Sequence, residues 1–398
     1  MGGVVLTEFV DNTIYRGGSK MGFKDGNNEV SVALARLVDE LVAKDQFCGA
    51  VLVAKGEVVI FEGAVGEANR EMGVVNDVDT KFNLGSGSKM FTAVAIAQLV
   101  EKGLLAFEDT IDKFLPDFPK ATGEKITIAH LLTHTAGLGN IFTPEYMERK
   151  DEIETVAEFM AFVKDQPMAF EPGEKHEYSN AGFIVLGAVI EAVSKMDYFD
   201  YVAEYITKPL GMAGTGFYKK TDDVSNLARG YTKGGGPFMM KGPRPKDGNA
   251  GEEAPKPKKI MGMPTDADIS VSEAKEDNFF FLGLRGSSAG GGYSTVRDMH
   301  QFSLGLQNGV LVSKEMFAIL TEGKVDVSFP MKGKYAYGFV DKLENERRIV
   351  GHGGGAPGIS AGFNIMPDEG YTIVVMANFD MGVFIAEREM LRIVAAAK

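Results

Sequence analysis

The 398-residue chain carries a formal charge of -13 and is 44% hydrophobic. That acidity argues against nucleic acid or an anionic membrane surface as a partner, and no stretch approaches the roughly 18 uninterrupted apolar residues of a membrane span. The length suffices for a large core, in one big domain or two intergrown ones, and a single cysteine, Cys48, excludes an intrachain disulfide and a cysteine-based metal site.

The start, Met1-Gly2-Gly3-Val4-Val5-Leu6-Thr7-Glu8, has no basic segment and no long apolar run, so it does not read as a signal peptide. It also fails the myristoylation pattern, with leucine at position 6. The compartment stays open: cytoplasmic, or periplasmic for a chain that begins after a removed leader. Residues 1–28 read as an N-terminal extension, with a short strand from Val4 to Val10 and then a Gly/Lys/Asn-rich stretch. Asn28 to Lys44 spaces Val30, Leu34, Leu37, Val38 and Leu41 as an amphipathic helix does. Ala50 to Ala54 and Val58 to Phe61 flank Lys55-Gly56-Glu57, a hairpin signal. Cys48, between Phe47 and Gly49 at this strand start, reads as a buried structural thiol.

Next comes Phe82-Asn83-Leu84-Gly85-Ser86-Gly87-Ser88-Lys89, leading into a run from Met90 to Val100 that is apolar on almost every side and so predicts a buried helix. Ser86 and Lys89 fall on one face of the first turn. A serine there meets unsatisfied N–H groups and the positive end of the helix dipole. An amine held against it in a dry site has a lowered pKa and can serve as a base. On these residues alone, a serine N-cap followed by an ordinary lysine fits equally well. Ser88 points away from the lysine, towards packing or a local hydrogen bond.

Residues 105–215 read as mostly helical, broken by Pro116, Pro119, Gly137, Pro144, Pro172 and Pro209. His130 and His134 have the i, i+4 spacing of a zinc pair, but Leu131 stands where such a motif needs glutamate, so packed or capping histidines are the better reading. Glu177-Tyr178-Ser179-Asn180 precedes an apolar helix, Phe183 to Val193. A tyrosine beside a cation can shuttle a proton, and Asn180 can offer its amide to a carbonyl; a capped helix start with a packed tyrosine is the plain alternative. The segment 233–277 is rich in Gly, Pro and Lys in its first half and reads as a long surface excursion.

Beyond it, a helix is expected from Val296 to Gln307, strands at Tyr337 to Val340, Arg348 to His352, Ala361 to Ile365 and Tyr371 to Ala377, and a closing helix from Met381 to Ala397. Gly351-His352-Gly353-Gly354-Gly355 sits at the end of one strand. Its glycines admit a substrate backbone, and its imidazole can donate to an acyl intermediate, although taken alone the stretch reads as a strand end with a packed histidine. A helix and hairpin at one terminus and strands with a helix at the other predict one sheet built from both ends, with a helical region between.

In order, S-x-x-K, Y-x-N and H-x-G resemble the serine β-lactamase/penicillin-binding superfamily. The nearest branch is the class C β-lactamase-like group, with its family VIII carboxylesterases, D-aminopeptidases and DD-peptidases. Leu131 to Leu138, Phe170-Glu171-Pro172-Gly173, Ala289 to Thr295 and Gly351 to Gly358 resemble this group too, so the likeness covers roughly residues 30–396 apart from most of 233–277. It implies an α+β, β-lactamase-like fold: an antiparallel sheet flanked by helices, from 29–105 and 290–398, with a helical domain inserted at 106–289. It makes Ser86 the nucleophile, Lys89 its base partner, Tyr178 the proton relay and Asn180 a substrate-amide contact. The oxyanion hole falls to the N–H groups of Ser86 and Gly355, and Gly353 and Gly354 line the substrate strand. His352 stands where many relatives carry the lysine of K-T-G. That change removes a permanent cation suited to a β-lactam or C-terminal carboxylate and favours neutral ester or acyl substrates.

The resemblance therefore implies a serine hydrolase working through an acyl-enzyme on a small-molecule ester or amide, without metal or organic cofactor. A carboxylesterase comes first, a D-amino-acid peptidase/amidase or β-lactamase second, and a penicillin-binding protein that acylates without turnover third. Gly358-Ile359-Ser360-Ala361-Gly362 mimics a lipase pentapeptide, but no histidine follows Ser360, so that triad fails.

Overall fold

The computed structural model describes residues 13–16, 19–22, 29–233, 266, 269–327 and 333–397, the first two segments by backbone alone. The expected strand from Val4 to Val10 and most of the 233–277 excursion lie outside the described residues. The two short strands Thr13–Arg16 and Ser19–Gly22 pair as a hairpin within the N-terminal extension.

Eight antiparallel strands form the main sheet, in the order Val325–Asp326, Lys334–Tyr335, Val340–Glu344, Arg347–Ala356, Ile359–Met366, Tyr371–Ala377, Gly49–Lys55 and Val58–Val65. The termini meet in it, with Val374 opposite Leu52 and Ile373 opposite Val53. Both faces are covered, so the strands Ile359–Met366 and Tyr371–Ala377 are buried at every position rather than alternating. Val51, Val53, Ile373 and Val375 pack on the helices Glu29–Ala43 and Phe384–Ala396 through Leu34, Val38, Met390 and Leu391. Leu52, Val374 and Met376 face the other way, into the core that holds the helices Lys89–Glu101, Asn180–Ser194 and Val296–Gln307. Cys48 is buried beside the first of these strands, near Asn378 Oδ1 at 3.3 Å, and burial pushes its thiol up to about 11.

The Lys89–Glu101 helix is the hub of the second layer. Its residues from Lys89 to Leu99 are all buried, as its all-round apolar sequence requires. Its polar members are tied to backbone carbonyls: Gln98 donates to Tyr205 and Leu311, and Thr92 to Ser288. Apart from the Asn180–Ser194 helix, the chain between 105 and 215 is helical only in short pieces; 133–143 and 161–179 have no regular structure. Gly137, Pro172 and Gly173 interrupt these stretches, and it is from them that Asn140 and Tyr178 reach the centre of the molecule.

Two strands differ from expectation. The one predicted at Tyr337 to Val340 divides into Lys334–Tyr335 and Val340–Glu344. Gly338, at φ 74°, turns the chain inwards so tightly that a Cβ there would lie 2.5 Å from the Ala93 side chain. The strand predicted to end at His352 runs on through the glycines to Ala356. Those glycines let the strand touch the turn before the hub helix. A Cβ on Gly354 would lie 1.8 Å from the Leu84 carbonyl oxygen and 2.8 Å from the Ser86 nitrogen, whereas one on Gly353 would meet only the Ala361 carbonyl oxygen at 3.3 Å. Gly354→Ala is therefore expected to cost about 2 kcal/mol or more of stability, as overpacking against backbone does, and Gly353→Ala under about 1 kcal/mol; paired urea unfolding curves test the contrast.

Candidate active site

Ser86 lies in a 3-10 turn, Gly85–Ser88, that passes directly into the Lys89–Glu101 helix. Gly85 takes φ 49°, a backbone conformation suited to glycine, and its N–H donates to Asn83 Oδ1 at 2.8 Å. The turn is pinned from outside by residues 290–292: Gly291 N–H donates to the Gly85 carbonyl, Leu84 N–H to the Gly292 carbonyl, and Gly292 N–H to Ser88 Oγ at 3.0 Å. Ser88 thus points into the body of the protein and donates to the Gly85 carbonyl. Ser86 stays partly exposed, on the same face as Lys89.

Lys89 is fully buried and forms no ion pair among the described residues; its Nζ lies 3.2 Å from Ser86 Oγ, 2.7 Å from Asn180 Oδ1 and within hydrogen-bond distance of the Ala289 carbonyl oxygen. Two of these three partners are carbonyl oxygens, which only accept. A neutral amine has two hydrogens and one lone pair. With both hydrogens given to Asn180 and Ala289, the lone pair is left facing the serine hydroxyl. Burial holds the Lys89 pKa well below its usual value of 10.5.

Tyr178 ends the irregular 161–179 stretch. Ser179 follows, capping the Asn180–Ser194 helix by accepting the Gly182 N–H at 3.0 Å and donating to the Gly139 carbonyl at 2.7 Å. The Tyr178 ring keeps an exposed edge while its hydroxyl is shielded from solvent. That hydroxyl lies near Ser86 without reaching hydrogen-bond geometry and has no other partner among the described residues. Burial raises its pKa above 10, and the neighbouring serine offsets part of the rise. Lys89 Nζ sits 4.9 Å from the ring centroid, so serine, lysine and phenol share one cleft.

Asn180 is engaged at both ends of its amide: Oδ1 accepts from Lys89, and Nδ2 donates to Asn140 Oδ1 at 3.2 Å. His134 is buried at φ 56°, stacks on Tyr178 with centroids 4.2 Å apart, and accepts the Ser179 N–H at its Nδ1. His130 instead closes a capping box with Thr127, so the two histidines diverge. No group of three or more His, Cys, Asp or Glu among the described residues is arranged to hold a metal ion.

His352 lies on the Arg347–Ala356 strand with its ring buried. Its Nδ1 is 2.5 Å from the Gly353 carbonyl oxygen and its Nε2 is 2.8 Å from the Tyr335 hydroxyl. Desolvation, with Lys89 nearby, lowers its pKa to about 4. Gly354 packs on the Ser86 amide as described, and a Cβ on Gly85 would lie 3.1 Å from the Gly355 nitrogen, so the amides of Ser86 and Gly355 are neighbours. Ser360 is the second residue of the strand Ile359–Met366, buried and accepting the Val383 N–H at 3.2 Å, so it is not on a strand-to-helix nucleophile elbow.

The structure thus brings Ser86, Lys89, Tyr178, Asn180, His352 and Gly353 to Gly355 together from distant parts of the chain. It adds Asn140, His134, Tyr335 and the Ala289 carbonyl, which sequence reasoning missed. A backbone carbonyl leaves no sequence signal. His134 and Ala289 do lie in stretches singled out by resemblance, Leu131 to Leu138 and Ala289 to Thr295, but without a role, and His134 drew attention as half of a metal pair.

A family model described as Beta-lactamase matches residues 34–397. Penicillin-binding protein 4* of Bacillus subtilis (strain 168) is 28% identical over 87% of this chain and 71% of its own length, while the chain spans 44% of some other curated relatives. Among solved structures, a penicillin binding protein from Bacillus halodurans superposes with a TM-score of 0.72 at 25% identity, covering 92% of this chain and 99% of that one. A D-stereospecific amidohydrolase from Streptomyces sp. gives 0.65 at 25% identity, covering 90% and 98%. With the match running over nearly its whole length, the chain belongs to the β-lactamase family, as a serine hydrolase of the β-lactamase and penicillin-binding-protein type.

Proposed function

We propose that the protein is an acyl-transferring hydrolase of small neutral esters, a carboxylesterase in which Ser86 is the nucleophile and Lys89 its general base. The observation that carries this reading is the hydrogen-bond set of Lys89, which suits a neutral amine with its lone pair on the serine. The shifts of the two titratable groups support it: Lys89 is pushed towards the free base and Tyr178 towards the protonated phenol. Groups driven apart in this way divide the base and acid roles.

In the proposed cycle Ser86 Oγ bonds to the substrate carbonyl carbon while its proton passes to Lys89 Nζ. The carbonyl π pair moves onto oxygen, which the N–H groups of Ser86 and Gly355 receive. The bond to the leaving oxygen then breaks, its electrons stay with the alkoxide, and the Tyr178 O–H protonates it. The Lys89 ammonium reprotonates Tyr178. Water repeats the sequence on the acyl-enzyme and releases the acid. Asn180, held by Asn140, orients the amine. No step draws on a metal or organic cofactor.

A second reading is amide hydrolysis on D-amino-acid derivatives, supported by the likeness to the Streptomyces amidohydrolase. The shared chemistry gives shared expectations. Ser86→Ala should abolish both p-nitrophenyl acetate hydrolysis and fluorophosphonate labelling; an unchanged rate refutes the proposal. Lys89→Met should lower kcat by about 10³-fold and Tyr178→Phe by about 10²-fold, the range of general acid–base effects. Because the amine acts unprotonated, kcat/KM should rise with pH through the lowered Lys89 pKa and reach its plateau well below pH 10.5. A panel of p-nitrophenyl butyrate, D-phenylalanine p-nitroanilide and nitrocefin separates the substrate classes: the ester should give the highest kcat/KM, and a lead for the anilide would favour the amidase.

A further inference from the structure

Nothing holds the Tyr178 side chain by its tip. Its hydroxyl has no hydrogen-bond partner among the described residues, and the chain from 161 to 179 has no regular structure to fix it. The place of the phenol must therefore come from its backbone and from the face of its ring. His134 supplies both. Its carbonyl accepts the Glu177 N–H at 2.9 Å and its Nδ1 accepts the Ser179 N–H at 3.1 Å, so one residue holds the chain on either side of Tyr178. Its ring lies on the Tyr178 ring with centroids 4.2 Å apart, closer than the rings of Tyr335 and His352, each at 6.4 Å. The direction of the Nδ1 contact is fixed by chemistry. A backbone N–H can only donate, so Nδ1 presents its lone pair and the hydrogen of the imidazole sits on Nε2. That Nε2 is buried without a partner among the described residues, a cost that an apolar ring would avoid. The backbone is unusual as well: His134 follows the short helix Ile128–Leu132 at φ 56°, a left-handed position that helix ends mostly give to glycine or asparagine. Neither feature favours stability. What the histidine adds is an acceptor and a flat face at Tyr178.

We propose that His134 is the positioning residue of the proton donor: by accepting the Ser179 N–H at Nδ1, beside its own stacked ring, it aims the Tyr178 hydroxyl at the leaving oxygen of the acyl donor. This rests on the acid role given to Tyr178 above and adds to it what aims the acid. His134 takes no proton and touches no reacting atom; it acts through Tyr178 alone. The leverage is geometric, since a misplacement of about 1 Å at a reacting group costs on the order of 10²-fold in rate.

The leaving group reports the aim of the acid. Ethoxide leaves only as it is protonated, whereas p-nitrophenolate is stable enough to leave as the anion. The ratio of kcat/KM for ethyl butyrate to that for p-nitrophenyl butyrate therefore follows proton donation in the acylation step. His134→Phe keeps a ring on Tyr178 and removes the acceptor; it should lower this ratio roughly tenfold or more. Tyr178→Phe should lower it by at least as much, and adding His134→Phe to that variant should lower it no further, because no acid is left to aim. His134→Asn, whose amide oxygen can accept the Ser179 N–H and which suits a left-handed backbone, should recover most of the ratio. Two esters that lose kcat/KM in parallel in His134→Phe overturn the proposal, and a ratio that still falls in Tyr178→Phe then leaves the acid role standing. A ratio unmoved in both variants removes the acid role and this inference with it. Should His134→Phe fail to fold, the wild-type protein carries the test. Nitrogen-15 NMR of the His134 ring, identified by its NOE to the Ser179 amide, should show Nδ1 without a hydrogen and Nε2 with one; a hydrogen on Nδ1 overturns the proposal.

Discussion

The site depends on a single amine kept out of water. Lys89 lies at the start of a helix whose first eleven residues are all buried, so its head group cannot reach solvent and must find partners within the protein. It finds three, one local and two from distant segments: the serine one turn earlier, the amide of Asn180 and the carbonyl of Ala289. Desolvating an ammonium without a counter-ion is costly, and this burial holds the pKa of the amine well below 10.5. The rest of the architecture serves this point. The Gly290–Gly292 stretch pins the serine turn, the Asn180–Ser194 helix brings in the amide, and the glycine strand closes against the turn from the sheet.

Much of this was legible in the sequence because the signals were local. The helix from Glu29 to Ala43 follows from its apolar spacing, the hairpin from Gly56, and the buried helix from a run with no polar face. Ser86 and Lys89 are one turn apart, so their meeting needs only a helix. Tyr178 and His352 were placed by resemblance to a family, since nothing in their local sequence says that they converge.

What escaped the sequence was set by contacts between distant residues. Asn140 lies in an irregular stretch, and its bond to Asn180 depends on how that stretch packs against a helix start. Gly338 ends a strand because Ala93 stands opposite, a fact of packing rather than of pattern. The glycines after His352 read as a strand end, yet the sheet continues through them because the serine turn fills the space where side chains would be. The partner of the His352 ring is Tyr335, which lies on a strand of two residues.

Burying a lone lysine also links folding to acidity. An unfolded chain holds the Lys89 proton up to about pH 10.4, whereas the folded chain gives it up at lower pH. Between those two values the unfolded form carries more protons, so through this residue the folded state gains stability as pH rises. The penalty is largest below the folded value and fades towards the ordinary one. On the proposed mechanism one deprotonation therefore both frees the lone pair for chemistry and relieves the cost of enclosing the amine, so that acid lowers activity and stability together.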